Sequence, residues 1–222
     1  MSIQSLIDKQ DNFEIIRDQI AAILVAETAS QQALATAAGE DPNEWKLRVY
    51  TERSNAFESW MNSQSDTSPI INVWYDTATA QENASNTFTR QMMSGTFNVD
   101  CYALGVSSDN QAGGHNPGDQ LAHTNSHKAA RLVRNILMST EYRYLGLQGV
   151  VWKRWPRSIT TRQMQLGDQS MLQVVATQLS LEVQYNEFAP GYEPTTLDLL
   201  TIDVGRASDG QIILEADYDY TA

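Results

Sequence analysis

The alternation of apolar and polar positions divides the chain into a helical start, a run of strands, one amphipathic helix and a second run of strands. Phe13, Ile16, Ile20, Ile23 and Leu24 recur at three- and four-residue steps, which puts them on one face of a helix opening near Asp11. Asp8, Asp11 and Glu14 lie where the positive end of that helix favours acids. Its second half, Ala26 to Ala38, is rich in Ala and Gln and forms helix well, with a weak apolar face. Gly39 and Pro42 stop it. A continuous helix from Asp11 to Ala38 would be roughly 42 Å long, which outruns a compact domain. Its thinly apolar end would then lie against a neighbouring subunit. Two shorter helices, broken near Thr28 to Ser30, fit the same pattern.

Strand periodicity follows. Trp45 to Tyr50 alternates apolar with basic residues, and Pro69 to Asp76 is β-branched and aromatic. Between them, Ser54 to Met61 reads as a short helical turn or helix and Ser63 to Pro69 as a turn-rich linker. Thr77 to Asn86 is polar and reads as a loop, and Thr87 to Met93 fits either a strand or more of that loop. From Thr96 to Leu104, Phe97, Val99, Cys101 and Ala103 share one face, with Asn98, Asp100 and Tyr102 on the other. Residues 105–120 have the composition of a long mobile loop, a length that is usually functional or ordered by a partner.

The central helix is expected from Asn125 to Met138, capped by Asn125 or Ser126. Ala129, Leu132, Val133, Ile136 and Leu137 form its apolar stripe; Lys128, Arg131, Arg134 and Asn135 face away. Two long strands come next, from Gln148 to Ile159 and from Leu172 to Tyr185. Past a Pro190-Gly191 linker, Leu197 to Val204 and Gln211 to Glu215 flank Ser208-Asp209-Gly210, a hairpin signal. The acidic end, Asp217 to Tyr220, is expected to be frayed or bound to a partner. The fold class is α+β: a mostly antiparallel sheet packed on one central amphipathic helix, with an N-terminal helical segment. The expected division is 1–42 helical, 43–190 α+β core and 191–222 β extension.

Composition narrows the role. The 222 residues are 41% hydrophobic, enough for a packed core. No run of about 18 apolar residues suggests a membrane span, and Met1 to Ser5 lacks the basic start of a signal peptide. A single cysteine, Cys101, suits a reducing cytoplasm. The net charge of −12 argues against a charge-driven grip on nucleic acid, which needs Lys and Arg on the phosphates. An acidic surface beside DNA would instead let it slide; simple solubility explains the same charge.

Candidate chemistry is thin. His123 and His127 stand four apart, but Thr124 occupies the place where a zinc protease carries its glutamate base. His115 as a third ligand would have to come from the loop. No Gly-x-Ser-x-Gly turn occurs, and Cys101 has no basic neighbour to lower its pKa. The glycine-rich run Ala112 to Gly118 lacks the lysine and spacing of a phosphate loop, so flexibility explains it better. No catalytic residue, metal or cofactor is expected, and the protein is not expected to be an enzyme. Trp152 to Arg157 interleaves aromatics with bases, with Trp152 and Arg154 on one side and Lys153 and Trp155 on the other. That pattern fits stacking on nucleic acid, an ordinary strand with a packed and a solvated face, or a cationic edge that meets the acidic surface of an identical neighbour head to tail.

From Ile70 to Phe188 the order of elements resembles the tail terminator and neck-completion proteins of long-tailed bacteriophages. The pieces that carry the resemblance are the strand Phe97 to Cys101, the helix Ala129 to Leu137 and the strand Leu179 to Tyr185. The N-terminal helical segment and the extension past Pro190 go beyond the smaller members. The resemblance implies a virion protein, assembled in the host cytoplasm, that forms a ring, most often six-fold. That ring would end the tail tube, meet tube or sheath proteins on one side and head connector or collar proteins on the other, and pass DNA through its lumen without specific binding. The subunit contacts expected of it are Lys128, Arg131 and Arg134 on the helix and Lys153, Arg154 and Arg157 on the strand. A head–tail adaptor, collar or baseplate subunit is the alternative, and a zinc-dependent enzyme a more distant one.

Overall fold

The computed structural model describes residues 9–58, 60, 66–82, 86–110, 114–116, 118–164, 172–190, 199–205 and 212–219, with the backbone alone at 108–110, 114–116, 172, 199–205 and 212–219. It is an α+β fold. Helix α1 (Asn12–Ala38) is continuous, so the break near Thr28 does not occur. The Glu14 carboxylate accepts the Asp11 N–H at 3.1 Å, and Glu187, far along the chain, accepts the Asn12 N–H at 3.2 Å. At the other end Gly39 takes the left-handed conformation (φ 74°), and Glu40 N–H returns to Ala35 O at 2.9 Å. This closing turn satisfies carbonyls that the helix leaves open.

Strand β1 (Arg48–Thr51) runs parallel to β2 (Ile70–Ala80). β2 is antiparallel to β3 (Arg90–Val106), and β3 to β7 (Leu172–Phe188). β6 (Val151–Met164) pairs with the far side of β7, giving the order β1-β2-β3-β7-β6. β4 (Ser108–Asn110) and β5 (Gly114–Asn116) form a small hairpin, and β8 (Leu199–Gly205) and β9 (Ile212–Asp219) form another two-stranded sheet. Helix α2 (Gly118–Leu137) lies across β3 and β7.

One main core joins both helices to one sheet face. Ile16, Ile20 and Leu24 of α1 and Val133 and Leu137 of α2 cover Phe97, Val99, Leu179 and Leu181, all fully buried. Each such aliphatic side chain contributes about 1.5–3 kcal/mol by leaving water. The parallel β1–β2 pair needs a long crossover, and that crossover covers part of the opposite face. There Ala56 and Trp60 pack with Ile70, Tyr102, Leu104 and Ala176.

Three expectations are corrected. Trp45 falls in a short 3-10 helix, Pro42–Trp45, so the first strand starts at Arg48. Thr77 to Ala80 is not loop, because β2 continues through a bulge at Tyr75/Thr77 and stays paired with β3 as far as Ala80 opposite Met93. Thr77, Thr79 and Ala80 are exposed, so no apolar alternation marks them and the backbone ladder alone carries the strand. Helix α2 begins seven residues before Asn125, which removes Asn125 and Ser126 as caps. Its first turns bury Ala122 and Ser126, residues too small and polar to write a stripe.

The 105–120 loop is also shorter than its composition suggests. β3 runs to Val106, the β4–β5 hairpin follows, and α2 opens at Gly118. A side chain on Gly105 would collide with the Gly118 carbonyl oxygen, and one on Gly118 would come within 2.7 Å of the Ser107 nitrogen. These two glycines exist for close backbone approach, not flexibility. Gly118 N–H donates to Ser107 Oγ at 3.1 Å and closes the base of the loop.

Candidate functional site

The expected contact residues divide between a helix face and a strand. Lys128, Arg131 and Arg134 are exposed on the outer side of α2, opposite the buried Ala129, Val133 and Leu137. Lys128 is engaged within the chain, pairing through Nζ with Glu44 of the 3-10 helix. Among the described residues Arg134 makes one long hydrogen bond, to its neighbour Asn135 at 3.4 Å. Arg131 has no ion pair among the described residues, which makes it the most open cation of the three.

On β6 the alternation separates roles. Arg154 stands opposite Val183 in the ladder, and its guanidinium donates to the Ser139 carbonyl at 2.7 Å, just past the end of α2. Its Nε is buried without a partner among the described residues, and burial pushes its pKa down. Arg154 is therefore a tie between β6 and the end of α2. Lys153 lies over the Trp155 ring at 5.0 Å, an arrangement worth about 0.5–1 kcal/mol at an exposed site. Arg157 is 63% exposed and reaches Glu182 at 3.5 Å. The structure thus brings together Lys153, Trp155 and Arg157 on the sheet face away from the helices, and takes Arg154 off that surface.

β6 is also a sheet edge. Among the described residues no strand pairs with its outer side. Trp152 and Ile159 are about half exposed along it. The strand carries four bases, Lys153, Arg154, Arg157 and Arg162, and no acid. In a chain of net charge −12 this is a strong local reversal of sign.

The histidines make local contacts. His123 Nδ1 meets the Asp119 carbonyl at 2.9 Å, one helical turn back, and His127 Nε2 meets the Thr161 hydroxyl at 3.1 Å. Their rings stand 6.1 Å apart, edge to face. The side chain of His115, in β5, lies outside the described residues. Among the described residues no three His, Cys, Asp or Glu side chains converge as metal ligands. His127 ends a chain of hydroxyls: Thr161 meets Thr177 at 3.2 Å, and Ser126 donates to Thr177 Oγ1 at 2.6 Å or to the Cys101 carbonyl at 2.9 Å. This chain fastens α2 to β3, β7 and β6. Cys101 is fully buried, and desolvation, helped by the Asp100 charge, pushes its thiol pKa up, the wrong direction for a nucleophile.

A second polar group escapes sequence reasoning. Asp100 is only 9% exposed. Trp74 Nε1 donates to its Oδ2 at 2.7 Å and Gln178 Nε2 to its Oδ1 at 2.9 Å, with Tyr102 OH at 3.3 Å. Burial first, then the Asp100 charge, pushes the Tyr102 pKa up. The carboxylate joins β2, β3 and β7 at the floor of a cleft of about 270 Å³ rimmed by Glu52, Arg53, Ser54 and Asn72. Glu52 holds a left-handed backbone (φ 52°) while its side chain accepts the Tyr75 N–H and pairs with Arg17. The signal that could have found the cluster is an aspartate in mid-strand flanked by apolar residues on both sides.

Among the described residues no helix is long and apolar enough to cross a membrane. No known protein family matches the chain, and no curated protein matches it in sequence.

Proposed function

We propose that the protein is a structural virion subunit of a long-tailed phage. In this reading it forms a ring in the neck that ends the tail tube and joins it to the head connector. The observation that carries the reading is the segregation of charge. Exposed cations gather on α2 (Arg131, Arg134) and β6 (Lys153, and Arg157 beside Glu182), while the whole chain is strongly acidic. A basic patch does not complement itself, so it favours a different, acidic patch on the next copy. Such head-to-tail contacts close into rings when the rotation permits. The remaining acidic surface would keep a lumen from gripping passing phosphates.

The test is direct imaging. Negative-stain electron microscopy of the concentrated protein, alone and beside tail tubes, is expected to show rings. The pair Arg131→Glu and Arg134→Glu is expected to weaken association about tenfold or more, with the thermal unfolding midpoint unchanged because both side chains are exposed. A monomer at high concentration, with no rings beside the tube, would sink the reading.

A further inference from the structure

The open edge of β6 is not uniform. Its first half is guarded in the way natural sheet edges are. It holds Lys153, Arg154 and Pro156, and bulges between Val151 and Lys153 and between Pro156 and Ser158. The second half is different. From Ser158 to Met164 the ladder with β7 is regular, running from Ser158 opposite Ser180 to Met164 opposite Val174. It contains no proline or bulge, three of its residues are β-branched (Ile159, Thr160, Thr161), and residues 158–163 are all exposed. Among the described residues, nothing pairs with the outward-pointing backbone groups of this seven-residue regular stretch.

The β8–β9 hairpin has the opposite shortage. It forms a sheet of its own, and a lone two-stranded hairpin is at best marginally stable in water. Its strands have seven and eight residues, the length of the open edge. Its register sets Leu200, Ile202 and Val204 opposite Tyr218, Ala216 and Leu214, so apolar positions share one face and need a surface to cover them. The chain beyond Pro190 carries seven acidic residues against one base, Arg206, where β6 carries four bases and no acid.

We propose that the β8–β9 hairpin of one copy adds to the Ser158–Met164 edge of the next, extending its five-stranded sheet. Backbone hydrogen bonds would supply affinity and the charge pattern would set the partner. Two β6 edges facing each other would set the exposed Lys153, Arg157 and Arg162 of one against those of the other, which disfavours a symmetric pair. Among the described residues of one chain the hairpin and the edge do not pair with each other, which favours a second copy as the occupant. The proposal rests on the ring reading only for closure; strand exchange itself needs no ring.

The test uses the full-length chain. Equal amounts of light and ¹⁵N-labelled protein are mixed, allowed to assemble, and treated with a carbodiimide. The reagent activates a carboxyl group, and a lysine amine then displaces the activating group to form an amide. The expected product joins Lys153 to hairpin carboxylates such as Asp217 or Asp219, with mixed-isotope pairs as abundant as unmixed ones. Unmixed pairs alone would mean that the hairpin docks on its own chain, and would overturn the proposal. Rings without any such pair would overturn it while leaving the ring reading intact. Mixed pairs without rings would uphold it and sink the ring reading. As a second arm, Thr160→Pro, with folding checked by circular dichroism, is expected to reduce mixed pairs about tenfold or more; undiminished pairs in the folded variant would also overturn the proposal.

Discussion

Asp66 holds its charge more firmly than a free carboxylate. Lys46 Nζ donates to it at 2.7 Å, and Ser68 adds its hydroxyl and amide, so its pKa lies well below the usual carboxylate range despite partial burial. A depressed carboxyl contributes stability that is present above the ordinary Asp pKa and is lost as pH falls through the folded-state value. Asp66→Asn is therefore expected to destabilise the protein at neutral pH and to lose that penalty in strong acid. Glu187 is the opposite case: burial is the largest influence and raises its pKa, so its contribution is full in acid and declines as pH rises. Denaturant titrations across pH check both signs, with Glu187→Gln showing the reverse trend; two flat profiles would refute them. Neither shift can be read in the sequence. Asp66 and Lys46 lie twenty residues apart, and Glu187 reaches Asn12 across 175 positions. Asp100 makes the same point: alternation sorts it with Asn98 and Tyr102, but two of the groups that bind its carboxylate, Trp74 and Gln178, lie on other strands.

At the scale of elements, the helices separate what burial does from what propensity does. The first half of α1 is held by Ile16, Ile20, Ile23 and Leu24, all visible as a periodic stripe. In the second half Thr28 and Ala35 are the buried residues, and Leu34 is 62% exposed. Thr28 Oγ1 is buried and finds no partner among the described residues. Thr28→Val keeps the shape and removes the stranded hydroxyl, so it is expected to stabilise the fold by about 1 kcal/mol, measured by chemical denaturation. A loss of stability would show that the hydroxyl is satisfied. The stripe of α2 was legible, as were most strand centres and the C-terminal hairpin. The start of α2 and the outer part of β2 were not, for one reason. Pattern reports burial, and those stretches are held by backbone pairing and by small or hydroxylated residues such as Ala122, Ser126 and Thr77.

At the scale of the molecule, charge is the organising variable. Bases cluster on β6 and the outer face of α2, and half of the net charge of −12 belongs to the chain past Pro190. If contacts between copies join these regions, they are screened by salt, whose Debye length falls from about 10 Å at 0.1 M to about 3 Å at 1 M. The assembled species is expected to dissociate near the upper end of that range, with circular dichroism unchanged, as followed by sedimentation velocity. Indifference to salt would point to an apolar contact instead. The six cations singled out by sequence are all basic positions on elements that exist. What the sequence could not tell is how many are already occupied: Lys128 by Glu44, Arg157 by Glu182, and Arg154 by the Ser139 carbonyl.

The glycine contact between Gly105 and Gly118 has a consequence for how the protein can change. It locks together the two ends of the segment that carries β4 and β5, independently of what lies between them. Closing a loop costs little more as it lengthens, and here the closure is made by its base. The tip can therefore be lengthened, shortened or rewritten over generations with little penalty to the core, which makes it the freest part of this region for acquiring a new neighbour.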